Sequence, residues 1–311
     1  MERTSELVIG LPRALLYHRY AKLWHGFFSG LGIRTVDSGP TSRKVLEDGS
    51  SLAVDEACLS LKVFLGHVSE LVGSCDYILV PRISNFGRHR NMCVRFEALY
   101  DLTRNVFRDS GQKFLAYNID ALEGQEEEAA FLELGCELGY SKKESKKAYA
   151  SAKKEEQELW KAAVRKNDAL YRTDGLKILI AAHSYVIKDS YIGKPVTDGL
   201  KKLGVTPIRA DVVNREAAIK RSTELSPTCK WELNREIIGS IAAHADEVDG
   251  IILLSAFPCG PDAMVNDLLA RKIKGVPLLN LVLDSQTGTA GIETRLESFV
   301  DIIRLKKGML T

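Results

Sequence analysis

Six cysteines in a chain of 311 residues are its best candidates for chemistry, and their neighbours sort them. Cys58 stands in Asp55-Glu56-Ala57-Cys58-Leu59-Ser60-Leu61-Lys62, Cys93 follows the polar stretch 84–91, and Cys259 stands in Phe257-Pro258-Cys259-Gly260-Pro261-Asp262. Each of the three precedes a helical pattern, and Pro261 is well placed to open the last of them. A helix N-terminus stabilises a thiolate and lowers the thiol pKa, and thiolate is the form that ligates iron or zinc. These three are the expected metal ligands. Cys75 instead enters a strand, in Gly73-Ser74-Cys75-Asp76, and is expected at the opposite sheet edge in a packing role. Cys136 lies in the apolar stretch 131–138 and is expected to pack on a helix face. Cys229, between Ser226-Pro227 and Lys230-Trp231, has no fixed side and is held as a possible extra ligand.

The elements that must position these thiols follow from short apolar, β-branched segments alternating with helical periodicity, the pattern of parallel strands joined by crossover helices. Strands are expected at 7–11, 34–37, 77–82 and 114–118, with helices at 14–31, 41–47, 59–72 and 94–109. A second set follows, with strands at 177–182, 207–211, 250–254 and 278–283. Its helices are expected at 195–203, 215–220, 231–245, 263–274 and 292–304. Between the sets, 126–172 is rich in Lys, Glu and Ala, and Ala148, Ala152, Leu159, Ala163 and Leu170 recur at helical spacing. The expectation is an α/β protein with an N-terminal lobe at 1–120, a helical connector at 121–174 and a C-terminal lobe at 175–311. Each lobe should carry a mostly parallel sheet with flanking helices. Open α/β sheets bind ligands beyond the carboxyl ends of their strands, and Cys58, Cys93 and Cys259 all fall on that edge.

Other residues on the same edge are less specific. Arg13, in Gly10-Leu11-Pro12-Arg13 after the first strand, can pair an acidic ligand or the carboxylates of Asp55 or Glu56. His67 beside Gly66 can approach the cleft along the helix that begins near Cys58, or serve as a buried structural histidine. The loop Asp284-Ser285-Gln286-Thr287-Gly288-Thr289-Ala290-Gly291 can present backbone N–H groups to an anion or cluster sulfide, or simply connect strand to helix. There is no C-x-x-C pair, no H-E-x-x-H and no P-loop, so the usual zinc, metalloprotease and nucleotide-phosphate signatures are missing.

Taken together, several segments resemble the acyl-CoA dehydratase activase-related proteins, relatives of the 2-hydroxyacyl-CoA dehydratase subunits. They are Gly10-Leu11-Pro12-Arg13-Ala14-Leu15-Leu16, Glu56-Ala57-Cys58 with Lys62 and Gly66-His67-Val68, Cys259-Gly260-Pro261-Asp262, and Thr287-Gly288 with Gly291 and Thr294-Arg295. The resemblance runs from residue 8 to residue 300. It implies α/β lobes around a cysteine-bound iron-sulfur cluster at the lobe junction, of the four-iron type or, as in some relatives, a double-cubane cluster. It further implies electrons delivered by an ATP-hydrolysing iron-sulfur activator protein, and an acyl-CoA or other small-molecule substrate. Carried over residue by residue, Cys58, Cys93 and Cys259 are its cluster ligands, with Arg13, Glu56, Lys62, His67, Gly260, Thr287 and Gly288 around them. Ser60 stands where related sequences often have proline, a departure that bears on loop rigidity more than on ligation.

Composition narrows the function classes. Lys+Arg 43 against Asp+Glu 41 leaves +2, without the basic excess that phosphate neutralisation demands, so no nucleic-acid partner is expected. Residues 1–10 carry Glu2, Arg3 and Glu6 and no long apolar core, and no apolar run approaches the roughly 20 residues that span a bilayer. A cytoplasmic protein without a membrane partner is expected, its cysteines reduced. The chain has no glycine-rich phosphate loop and is not expected to be an ATPase itself. Two functional readings result: an iron-sulfur protein for low-potential electron transfer or reductive chemistry, and a cluster-free α/β binding module for an anionic small molecule.

Overall fold

The computed structural model describes residues 7–285 and 289–309. The chain divides into two units. Unit 1 comprises Met1–Asp55, Leu61–Trp160 and Lys230–Glu232, and unit 2 comprises Glu56–Ser60, Lys161–Cys229 and Leu233–Thr311. Both are α/β, and their sheets are parallel.

In unit 1 the chain runs β1 (Val8–Leu11), α1 (Tyr17–Gly30), β2 (Arg34–Asp37), α2 (Arg43–Leu52) and α3 (Leu59–Leu71), the last beginning in unit 2. It continues through β3 (Tyr77–Leu79), β4 (Arg82–Asn85), α4 (Val94–Glu97), α5 (Leu99–Val106), β5 (Lys113–Leu115), β6 (Asn118–Asp120), α6 (Glu127–Glu137) and the long α7 (Lys142–Ala169), which ends in unit 2. The main sheet has the order β2-β1-β3-β5, and β4 and β6 form a separate pair. Every residue of β1 is buried, as a central parallel strand covered on both faces requires. Helices α2 and α3 meet backbone to backbone: a Cβ added at Gly66 would lie 1.9 Å from the Val45 carbonyl oxygen, and one at Gly49 1.8 Å from that of Lys62. Only glycine permits that approach.

The expected helix 94–109 is broken at Ala98, which caps α4 and opens α5. The expected strands 77–82 and 114–118 each divide in two, because chain segments after β3 and β5 leave the main sheet and pair as β4 and β6.

Unit 2 continues with β7 (Lys177–Ala181), α8 (Ser184–Ile187), α9 (Lys194–Lys202), β8 (Thr206–Arg209), α10 (Arg215–Leu225), α11 (Glu232–His244), β9 (Gly250–Ala256), α12 (Gly260–Lys272), β10 (Leu278–Leu283) and α13 (Thr289–Lys306). The first residue of α11 groups with unit 1. The sheet order is β10-β9-β7-β8. All seven residues of β9 are buried, and Ile251 and Leu253 pack with Leu179, Ile208, Ile238, Ile241 and Leu269 in one core. Burying such side chains contributes about 1.5–3 kcal/mol each.

Both main sheets follow one rule. Their chain order reverses beside the first strand, between β1 and β3 in unit 1 and between β7 and β9 in unit 2. Ligand crevices of doubly wound sheets open at the carboxyl ends of the strands flanking such a switch.

Candidate functional site at the strand switch of unit 2

Residues that follow β7 and β9 occupy the switch of unit 2. His183 comes two residues after β7 and caps α8, and Cys259 comes three residues after β9 and caps α12. Pro261 in the first turn of α12 suits the helix start because its missing N–H costs no intrahelical bond. The segment carrying Cys58 reaches the same corner: the Leu59 N–H donates to the Phe257 carbonyl oxygen at 2.9 Å.

The centre of this corner is a buried carboxylate. Asp262 is 5% exposed and His183 4%. His183 Nε2 lies 2.7 Å from Asp262 Oδ1, and Asn234 Nδ2 donates to the same oxygen at 2.8 Å. Burial opposes both charges, but their mutual attraction wins. The Asp262 charge and hydrogen bond hold the His183 imidazole above its usual pKa. His183, Asn234 and the adjacent Cys259 thiol hold Asp262 below the usual carboxylate range. The result is a charged pair whose negative end faces the cysteine.

Burial and that carboxylate together correct the expectation of an activated thiol at position 259. Burial pushes the Cys259 thiol well up from its ordinary value, and the Asp262 charge and nearby Cys58 push it further. The backbone N–H of Asp262 pulls the other way and does not prevail. In the metal-free protein Cys259 is therefore a protonated thiol, and it must lose that proton to bind a metal.

Among the described residues of either unit, no three His, Cys, Asp or Glu side chains are gathered to hold a metal ion. Unit 2 supplies Cys58 and Cys259, both half-buried soft sulfur donors of the kind that suits iron or zinc. Cys93 lies in unit 1, half-buried, as the cap of the single-turn α4, too short a helix to contribute much dipole.

The other cysteines are elsewhere. Cys75 sits at the amino edge of the unit 1 sheet, where a Cβ at Gly10 would meet its sulfur at 2.6 Å, and burial raises its pKa. Cys229 packs against the core of unit 2. Cys136 departs from its expected packing role and is exposed. The helix α6 buries Ala130, Phe131, Leu134 and Gly135, and that phase turns position 136 to solvent.

The remaining predicted residues fall in unit 1 or on the edges of unit 2. The Arg13 backbone N–H bonds Ser38 Oγ at 2.8 Å, and its guanidinium stands 6.0 Å from the Tyr17 ring centre. His67 is fully buried with Nε2 2.8 Å from Thr41 Oγ1. Burial, aided by the Arg13 charge, lowers its pKa to about 4, so it is neutral at pH 7. Lys62 Nζ donates to the Asp55 carbonyl at 3.1 Å, and Glu56 is exposed. Gly260 opens α12 with open space where a side chain would stand. Thr287 and Gly288 lie outside the described residues.

A family model described as the CoA enzyme activase uncharacterised domain matches residues 8–213. The chain belongs to this family. The match takes in Cys58, Cys93 and His183 and stops short of Cys259 and Asp262, so half of the unit 2 site lies beyond it. No curated protein matches the chain. Among solved structures, the SBP FpvC from Pseudomonas aeruginosa, in complex with Mn2+, is 14% identical over 96% of this chain and 98% of that one, with a TM-score of 0.31. A likeness that weak carries no argument about fold or function. No helix among the described residues is long and apolar enough to cross a membrane.

Proposed function

We propose that this member of the CoA enzyme activase domain family is a cytoplasmic iron-sulfur protein for low-potential electron transfer or reductive chemistry, served by an ATP-hydrolysing iron-sulfur activator. Cys58 and Cys259 would hold the cluster from unit 2, with Cys93 as the third ligand. The observation carrying this reading is the bond from Leu59 N–H to the Phe257 carbonyl, which joins two cysteine-bearing segments far apart in sequence at the strand switch. A four-iron cluster on three thiolates supplies low-potential electrons and leaves one iron open to a further ligand. The chain's own residues fit that role. Asp262, fixed by His183 and Asn234, keeps negative charge beside Cys259, which disfavours an added electron and so favours a low potential.

Anaerobic purification with iron and sulfide analysis, followed by electronic and EPR spectra, tests the proposal. Wild-type protein should hold iron, Cys58→Ala and Cys259→Ala should lose it, and Cys75→Ala and Cys136→Ala should keep it. Full iron in Cys259→Ala with loss in Cys75→Ala would refute the ligand assignment. Turnover with an activator, ATP and acyl-CoA esters would then separate a catalytic component from an electron carrier.

A second reading, the binding module for an anionic small molecule, draws on a cleft of about 560 Å3 beside β8. Lys188, Lys201 and Arg209 line it, and Arg209 is already paired with Asp211. Wild-type protein without iron after reconstitution would favour this reading.

A further inference from the structure

A cleft of about 380 Å3 opens beside Cys259, between α12 and the ends of β9 and β10. Its volume is at the lower end of the roughly 300–1,000 Å3 typical of small-molecule sites. On α12 the cleft is lined by Ala263, Asn266, Asp267 and Ala270, one stripe at three- and four-residue spacing. Alanine at both ends of the stripe leaves the groove open. Phe257 and Val282 line the opposite side and remain 56% and 40% exposed, which leaves apolar surface available to a ligand.

The charge of the lining is more selective than its size. Among the described residues no lysine, arginine or histidine lines the cleft, and Arg295, which reaches the lining residue Asn280, donates to that residue's carbonyl at 2.8 Å. The one carboxylate among its described lining residues, Asp267, is paired with Arg271 at 2.9 Å, so it has no strong need of a cationic ligand. An anion would enter beside that carboxylate with no cation in the lining, Arg271 and Arg295 being engaged by Asp267 and the Asn280 carbonyl, and would lose its hydration poorly compensated. The polar element suited to a neutral ligand is Asn266, 8% exposed. Its amide donates to Ser255 Oγ at 3.4 Å and to Asn280 Oδ1 at 3.5 Å, both beyond the usual 2.7–3.2 Å range for such bonds. A ligand carbonyl could offer that amide a shorter bond.

We propose that this cleft binds an uncharged, largely apolar small molecule bearing one carbonyl or amide, with that group on Asn266 and its apolar body against Phe257 and Val282. As the seat of a substrate it rests on the assignment of Cys259 to the cluster. As a binding site it stands without it.

Benzamide and benzoate share a shape and differ in charge, which makes them suitable probes of the metal-free full-length chain by titration NMR. Benzamide should bind saturably, shift the Asn266 side-chain amide, and exceed benzoate in affinity by about tenfold or more. Ala270→Phe fills the groove from an exposed helix position and should weaken benzamide by a similar factor. Val282→Lys brings a cation to the mouth on an exposed position of an edge strand and should turn the preference toward benzoate, a reversal that general loosening of the fold would not produce. No saturable benzamide binding, equal or tighter binding of benzoate by wild type, or unchanged binding in both variants would overturn the proposal. Iron is measured separately on wild-type protein. Charge discrimination in a chain that takes up no iron would sustain the cleft and sink the redox reading, and iron-loaded protein without benzamide binding would do the reverse.

Discussion

Removing the His183 imidazolium from the unit 2 corner gives the sharpest test of its electrostatics: His183→Ala leaves Asp262, 5% exposed, with Asn234 as its remaining fixed side-chain donor outside the thiol. Breaking a buried pair from one side costs about 3–5 kcal/mol, because the surviving charge is left uncompensated. A double variant, His183→Gln with Asp262→Asn, replaces the pair by neutral groups of similar shape and should recover most of that loss. The pH dependence has a definite sign. The folded pKa of His183 is raised, so its contribution is full below the unfolded value of about 6.5 and is lost as pH rises through the folded value. Asp262 is lowered, so its contribution is present above the unfolded carboxylate value and is lost as pH falls through the folded one. Hydrogen exchange of the β7 and β9 amides in metal-free protein reads the stability of unit 2 by itself. The gap between wild type and His183→Ala should narrow as pH rises above about 6.5 and through the raised folded value. A gap that widens with pH, or one below about 1 kcal/mol at neutral pH, would show that the pair is not ionised as described.

Three further outcomes follow from packing and thiol chemistry. Gly66→Ala places a Cβ 1.9 Å from a backbone oxygen and should cost about 2 kcal/mol or more by denaturant unfolding, despite the gain of about 1 kcal/mol in helix propensity. Gly260→Ala, with open space around it, should stay within about 1 kcal/mol of wild type by the same measurement. In metal-free protein iodoacetamide should modify exposed Cys136 before half-buried Cys259, as read by peptide mass mapping. Cys259 reacting first would mean that the helix N-terminus outweighs burial and the Asp262 charge.

Much of the fold was legible in the alternation of strand and helix patterns, because buried parallel strands carry continuous apolar runs, such as residues 251–254 of β9. What pattern could not supply was register beyond the main sheets. The pair β4 and β6 is built from Arg82, Asn85, Asn118 and Asp120 as much as from Ile83 and Ile119, so it has no apolar signature. Cys136 was misplaced for a related reason. An apolar stretch identifies a buried helix, but only its phase assigns a given residue to the core or to water.

The corner at Cys259 was half legible. Sorting cysteines by strand end and helix start led to Cys58, Cys93 and Cys259, of which Cys58 and Cys259 belong to unit 2, and the same sorting applied to other side chains leads to His183 after β7 and Asp262 after β9. Those two are 79 residues apart, and no local spacing pairs them. The reversal of chain order between β7 and β9 does so, because it leaves their carboxyl ends side by side. The same geometry explains why helix-terminus reasoning failed for the Cys259 thiol. A helix dipole amounts to about half a charge at the helix end, whereas burial of the thiol comes first in raising its pKa and the Asp262 carboxylate adds a full charge in a weakly screened setting. At this strand switch the thiol's state is therefore set first by its burial and then by what the neighbouring strand delivers, and β7 delivers the histidine that keeps this carboxylate ionised.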